Sequence, residues 1–332
     1  MENAEQTKRL SFTVDQASAK MKLGEYLADN LGTLSRMYLR ELIKTGKCDV
    51  NGEHVNSGYR LRPNDFIEIE ADLTRGMAMR PEDIPLDVLF EDAELLVVNK
   101  PAGMLVHPSH RDKNGTLLNA LTFHCNRDLI EQEGEKGRKG EGMTDQSVQV
   151  SLSPRLPVSR SCLIRPGLIH RLDKQTSGLM VVAKTAKAHR RLSADFMKKR
   201  VEKRYLALVE GIVEADDGTI EAPIGRFAEL KQWSVKADGK HSESQFWVRE
   251  RLPDTTLIEL EPVTGRTNQL RIHCESIGHP IVGDTARGGR EFARLCLHAY
   301  RLAFRHPSSQ EMLRFEIPCD FVRVTRSIES SP

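Results

Sequence analysis

The chain has 332 residues, enough for one large domain and a smaller one beside it. Charged residues make up 29% and hydrophobic residues 39%, a balance that excludes a disordered chain and fits a globular protein with a busy polar surface. The net charge of +2 is too near zero to announce a nucleic-acid binder by itself, so that question passes to local clusters.

Residues 1–12 read as a loose polar start without the apolar core of a signal peptide. A compact unit is expected over 13–72. Leu23, Tyr26, Leu27 and Leu31 recur at helical spacing, and Ser35 is placed to cap a second helix carrying Met37, Leu39, Leu42 and Ile43. Gly46 ends that helix. Cys48, Asp49 and Val50 then run as a strand into a tight Asn51-Gly52 turn, and residues 65–70 alternate apolar with acidic side chains as a half-buried strand does.

Residues 73–85, with Arg75, Gly76, Pro81 and Pro85, read as a linker to a second domain over 86–325. A turn and a strand are expected across 90–99. Residues 126–163 lose apolar periodicity, turn Gly/Glu/Lys-rich and then Ser/Pro-rich, and read as a flexible insertion. Leu179 to Ala183 is a short apolar run of the kind that forms a buried strand. A helix is expected over 187–199, followed by strands over 204–209, 219–224, 245–250 and 255–261. Many strands with few helices predict an α+β fold with a mixed, mostly antiparallel sheet. Lys187, Arg190, Arg191, Lys198, Lys199, Arg200, Lys203 and Arg204 make one basic stretch, which is a solvated helix face unless it borders a site.

Six cysteines at irregular spacing include no Cys-x-x-Cys pair, which argues against a zinc knuckle and for reduced thiols. No apolar run approaches membrane-spanning length. A cytoplasmic monomer without membrane attachment is expected. His170 and His273 lack metal-like partners at helical spacing, so no metal is expected, and with neither a Walker loop nor a Gly-x-Gly-x-x-Gly after a strand no cofactor is expected.

The segment from Ile169 to Lys184 holds the clearest chemical signal. It sets Asp173 in a bend with Arg171 and Lys174 on either side and Thr176, Ser177 and Gly178 after it, just before the apolar run. A carboxylate held beside a guanidinium stays ionised and can act as a nucleophile. A surface Asp in a turn would share the same local pattern.

His170-Arg171-Leu172-Asp173 followed by Thr176-Ser177-Gly178 resembles the signature of the RluA family of pseudouridine synthases. Three further blocks resemble that family in the same order: residues 97–108 with Asn99-Lys100-Pro101, residues 203–209 around Tyr205, and residues 264–273 with Gln269-Leu270-Arg271, continued by 277–284. Leu297-His298-Ala299 also fits. The resemblance covers most of 86–320 and implies the pseudouridine synthase fold, a long bent sheet with a cleft across its middle. It implies Asp173, Tyr205 and Arg271 as catalytic residues, with Arg271 gripping Asp173 in a forked pair and Tyr205 lying against the uracil. It implies substrate contacts from His170, Arg171, Lys100 and Asn268, with Lys100 shaping the cleft floor and Arg171 stacking where the target base has left. Asn268 departs from the family, which frequently has His there.

Residues 22–70 resemble the S-four RNA-binding module, through Leu34-Ser35-Arg36, Leu42-Ile43-Lys44-Thr45-Gly46 and Val50-Asn51-Gly52. Lys22, Arg36, Arg40, Lys44 and Lys47 would then face RNA phosphates. Lys22 stands where that module often has Arg, and Asn64 where it often has Gly.

These resemblances imply isomerisation of uridine to pseudouridine in RNA, with large-subunit ribosomal RNA as the expected partner and transfer RNA as the alternative. The reaction breaks the bond from ribose to nitrogen 1 of uracil, re-forms it at carbon 5 and releases the carbon 5 proton. It needs no redox partner and no energy donor. Attack on the sugar, addition to the base and proton abstraction from the sugar are each compatible with one aspartate. A non-catalytic RNA-binding protein of ribosome assembly is a second class, and intact Asp173, Tyr205 and Arg271 speak against it. A nucleosidase is a third, against which stands the lack of an evident carboxylate pair.

Overall fold

The computed structural model describes residues 7–31, 34–73, 81–109, 112–128, 130, 166–227, 229, 232–319 and 321. Most of the expected linker (74–80) and most of the expected insertion (131–163) lie outside the described residues. The chain divides into two compact units, one of residues 1–84, 108–114 and 118–165 and one of residues 85–107, 115–117 and 166–332.

The first unit is built on a three-stranded antiparallel sheet in the order β1 (Thr7–Thr13), β3 (Phe66–Asp72), β2 (Cys48–Val50). The expected loose start is corrected here for residues 7–12. Leu10 and Phe12 alternate with polar residues, pack on the small core and pair with Ile69 and Ile67 in register. Helix α1 (Leu23–Asn30) buries Leu23, Tyr26 and Leu27, and helix α2 (Arg36–Lys44) buries Leu39, Leu42 and Ile43. Ser35 Oγ accepts the Tyr38 N–H at 3.1 Å, which satisfies one of the open donors at the start of α2. The chain leaves α2 through Gly46 at φ +75°. Asn51 and Gly52 both adopt positive φ, +54° and +79°, the geometry of a two-residue hairpin turn that matches strand twist.

The second unit carries one large sheet, and among the described residues its order is β4 (Asp87–Glu91), β5 (Leu95–Lys100), β7 (Ser177–Ala183), β14 (Leu297–Arg305), β8 (Glu202–Glu210), β13 (Thr255–Pro262), β12 (Glu243–Arg251), β9 (Asp217–Glu221). A short β6 (Gly167–Leu168) pairs with β7, and β15 (Met312–Glu316) pairs with β14. A separate hairpin joins β10 (Ile224–Phe227) to β11 (Gln232–Val235). Every strand pair of the large sheet is antiparallel except β7 with β14, so the sheet is mixed and mostly antiparallel.

All seven residues of β7 are buried, which explains why residues 179–183 form an unbroken apolar run rather than an alternating one. Helix α4 (Ala186–Met197) lays Ala188 and Leu192 against β7, with Thr185 capping its start through the Ala188 N–H. Helix α3 (Leu117–His124) follows the loop after β5. Helix α5 (Gln269–Ser276) buries Leu270 and Cys274 against β8 and β13. The expected strand over 219–224 is corrected: β9 ends at Glu221, and Pro223, which offers no amide hydrogen, separates it from β10.

The parallel seam between β7 and β14 is unusually close. Gly178 sits opposite Ala299 at φ +118°, and a Cβ there would lie 2.3 Å from the Ala299 carbonyl oxygen. Only glycine fits. Beside it, Ser177 Oγ lies 2.7 Å from Nδ1 of buried His298, and Arg294 donates to the same hydroxyl. The loop that carries Asp173 therefore enters the sheet at a fixed point.

Candidate active site

The loop before β7, the first residues of β8 and the loop leading into α5 line one cleft of about 530 Å³. Asp173 is its one carboxylate among the described residues, and five cations share the lining: Arg171, Lys199, Lys203, Arg266 and Arg271. Asp173 lies in a tight turn closed by the Thr176 N–H on its own carbonyl at 3.1 Å. Burial pushes its carboxyl above the ordinary carboxylate value, and Arg271, Arg171, Lys100 and Arg287 pull it back only in part.

Arg271 does not grip Asp173. On α5 its Nε donates to Asp284 Oδ2 at 2.6 Å and its Nη2 to Asp284 Oδ1 at 2.7 Å. The forked pair expected with Asp173 is corrected to one with Asp284, whose side chain is only 2% exposed. The reason is local. Gly283 at φ +83° and Gly289 pack so tightly that a Cβ on either would come within 2.1 Å of a backbone oxygen. That turn holds the Asp284 carboxylate under Arg271. Asp173 acts on Arg271 through space: burial lowers the guanidinium pKa, and the hydrogen bonds and charge of Asp284, then the charge of Asp173, raise it above its ordinary value. Sequence reasoning read Asp284 only as the end of a motif. The Gly283-Asp284 pair after an apolar run was the available sign of a tight turn presenting an acid.

Asn268 precedes α5 at φ +55°, a left-handed conformation that Asn tolerates better than most residues, and its Oδ1 accepts from Arg271 Nη1 at 3.4 Å. Gln269, given no role of its own from sequence, is 3% exposed. It accepts from the Thr264 hydroxyl and the Arg266 N–H and donates to the Glu243 carbonyl and Ser244 hydroxyl, which fixes the 264–268 loop to β12.

Tyr205, on β8, lines the same cleft. Burial, then the Asp173 charge, push its phenol well above the ordinary value, so the hydroxyl stays protonated and is available as a donor. His170 also lines the cleft, but its Nε2 accepts the Val181 N–H at 3.2 Å and its ring stacks on Phe196 at 4.7 Å. Burial and the nearby Lys203 push the imidazole down to about 3, which leaves it neutral.

Lys100 requires a correction. It is 0% exposed, and its ammonium donates to the carbonyls of Pro101, Met104 and Lys174 at 2.8, 2.9 and 3.2 Å. A substrate cannot reach it. It ties the loop after β5 to the residue following Asp173 and adds a positive charge behind that carboxylate. Burial, then Arg294, push its pKa down to about 8, against the pull of Asp173. The five basic residues proposed for the N-terminal unit, Lys22, Arg36, Arg40, Lys44 and Lys47, are all exposed. Among the described residues no group of three or more His, Cys, Asp or Glu is arranged to hold a metal ion.

Residues 94–276 match the family described as RNA pseudouridylate synthase. The chain belongs to that family. The synthase is 35% identical over 93% of its length to an uncharacterized RNA pseudouridine synthase of Bacillus subtilis, of which the match covers 94%. It is 33% identical over 96% of its length to the ribosomal large subunit pseudouridine synthase D of Vibrio cholerae, again covering 94% of that protein. Among solved structures, human RNA pseudouridylate synthase domain containing 4 shares the fold, with a TM-score of 0.52 at 21% identity over 72% of this chain and 90% of that one. The synthase thus isomerises uridine to pseudouridine in RNA. Its cleft suits that work, with a single carboxylate among the described residues, a protonated phenol and a cationic rim for a polyanion.

Proposed function

We propose that the synthase modifies large-subunit ribosomal RNA and that Asp173 is its catalytic carboxylate. The observation that carries the second part is that Asp173 is the one carboxylate lining the cleft among the described residues. A nucleosidase working through a carboxylate pair needs two such groups about 5–10 Å apart across the scissile bond. Asp173 breaks the bond from C1′ to nitrogen 1 with Arg271 behind it as electrostatic support, and Asp284 and Asn268 hold that guanidinium in place. Tyr205 supplies a neutral ring face against the uracil and a hydroxyl donor. The ring turns, carbon 5 bonds to C1′, the carbon 5 proton leaves and nitrogen 1 gains one, so the reaction balances without a cofactor. Arg171 is exposed at the cleft and occupies the space of the flipped nucleotide.

The ribosomal assignment rests on the likeness to the Vibrio cholerae protein along nearly the whole chain. The first unit serves as an S-four-type RNA-binding module. Arg36, Arg40 and Lys44 recur every four residues on α2 and form an exposed basic stripe suited to phosphates. No helix of the described residues is long and apolar enough to cross a membrane. Mapping pseudouridine in ribosomal and transfer RNA from cells with and without the protein tests the assignment. One or more large-subunit positions should lose the modification with the protein, and loss confined to transfer RNA would overturn it.

A further inference from the structure

The C-terminal corner of α4 has features that the reaction does not explain. Of the large apolar side chains left exposed among the described residues, Met197 is the most exposed, at 79%, and the one that lines the cleft. Helix α4 turns Ala188 and Leu192 to the core, so Met197 contributes nothing to packing on that side. Lys198, Lys199 and Arg200 follow it directly, and all three are exposed.

The helix ends through Lys199 at φ +54°, with the Lys199 N–H on the Phe196 carbonyl and the Arg200 N–H on the Asp195 carbonyl. This is the left-handed helix ending in which glycine is usual, because a side chain there is strained. A lysine occupies that position, and it lines the cleft. Strain kept at the edge of a site points to a use for the side chain.

Resting on the RNA-modifying reading above, we infer that this corner is a subsite for an unpaired nucleotide flanking the target uridine. The Met197 thioether packs on the face of its base and Lys199 takes its phosphate. A polarisable, unbranched side chain suits any base face, so the contact selects for unpaired structure rather than for sequence. The run of cations suits a polyanion and disfavours an ordinary apolar protein contact. Lys203 lies just inside, its ammonium 5.9 Å from the Phe196 ring centroid, and continues the cationic edge toward Asp173.

The test measures binding of a single-stranded twelve-uridine RNA to the full chain and to its Met197→Ala and Lys199→Gly variants, across salt concentrations. Binding of this probe does not require isomerisation, so an inactive enzyme would count against the reaction and leave this result legible. Lys199→Gly should weaken binding about three- to tenfold and flatten the slope of log K against log salt by about 0.7, the share of one phosphate contact on a single strand. Its Tm should hold or rise by about 1–2 °C, because glycine relieves the left-handed residue. Met197→Ala should weaken binding by about threefold with the slope unchanged, and neither variant should alter the weaker binding of the same RNA in a duplex. Parent-like affinity in both variants, a loss in Lys199→Gly with no change of slope, or a parent protein that ignores the oligonucleotide would each overturn the subsite.

Discussion

Arg271 shows how one side chain reconciles two acids. It is 17% exposed, forks onto the buried carboxylate of Asp284 and feels Asp173 only through the intervening space. Among the described residues the cations around the Asp173 carboxylate act on it as charges rather than through hydrogen bonds. Such a carboxylate keeps its lone pairs for chemistry, while a guanidinium held elsewhere still lowers the energy of its negative charge. Lysine at 271 keeps the charge but cannot hold both oxygens of Asp284. Arg271→Lys should therefore slow single-turnover isomerisation at saturating enzyme by at least about tenfold, which is roughly 1.4 kcal/mol of transition-state stabilisation. Asp284→Asn, which keeps the size and loses the charge, should slow it in the same assay. A parent-like rate in both would remove this arrangement from the reaction. The family resemblance put Arg271 beside Asp173, but not which acid it would fork: Gly283-Asp284 signals a tight turn presenting an acid, whereas the packing of Gly283 and Gly289 that carries that acid to Arg271 is long-range. Lys100 was misjudged for a similar reason. A lysine before proline looks like an ordinary strand end, and its burial depends on the adjoining loop folding its Pro101 and Met104 carbonyls back onto the ammonium and on Lys174, 74 positions away, closing over it.

At the scale of elements, the apolar run of β7 and the alternating β3 were legible because burial on both faces and on one face leave different periods. The Ser35 cap and the Asn51-Gly52 turn were legible because each side chain meets a local backbone demand. The pairing of β7 with β14 was not, since it joins residues more than a hundred positions apart. Gly178 is the hinge of that pairing. Gly178→Ala would place a methyl 2.3 Å from the Ala299 oxygen at φ +118°. Strain and overpacking together should cost about 3 kcal/mol or more, read as a lower denaturant midpoint with unchanged slope. A midpoint equal to the parent's would mean that the seam opens without penalty.

At the scale of the molecule, the small unit has its own buried cluster, from Val14 through Leu23 and Leu39 to Ala71. Removing residues 1–72 should leave catalysis on saturating RNA within a few-fold of the parent while weakening RNA binding and flattening its salt dependence. Unchanged affinity and slope would deny the unit its RNA-binding role. We propose that catalysis turns on one carboxylate in a cationic cleft. The direct measurement is single-turnover pseudouridine formation by the purified Asp173→Asn variant, beside the parent, on an RNA the parent converts. The substitution keeps size and shape, so folding and RNA affinity should match the parent, while conversion should fall to background. Conversion within a few-fold of the parent would contradict Asp173 as the catalytic group.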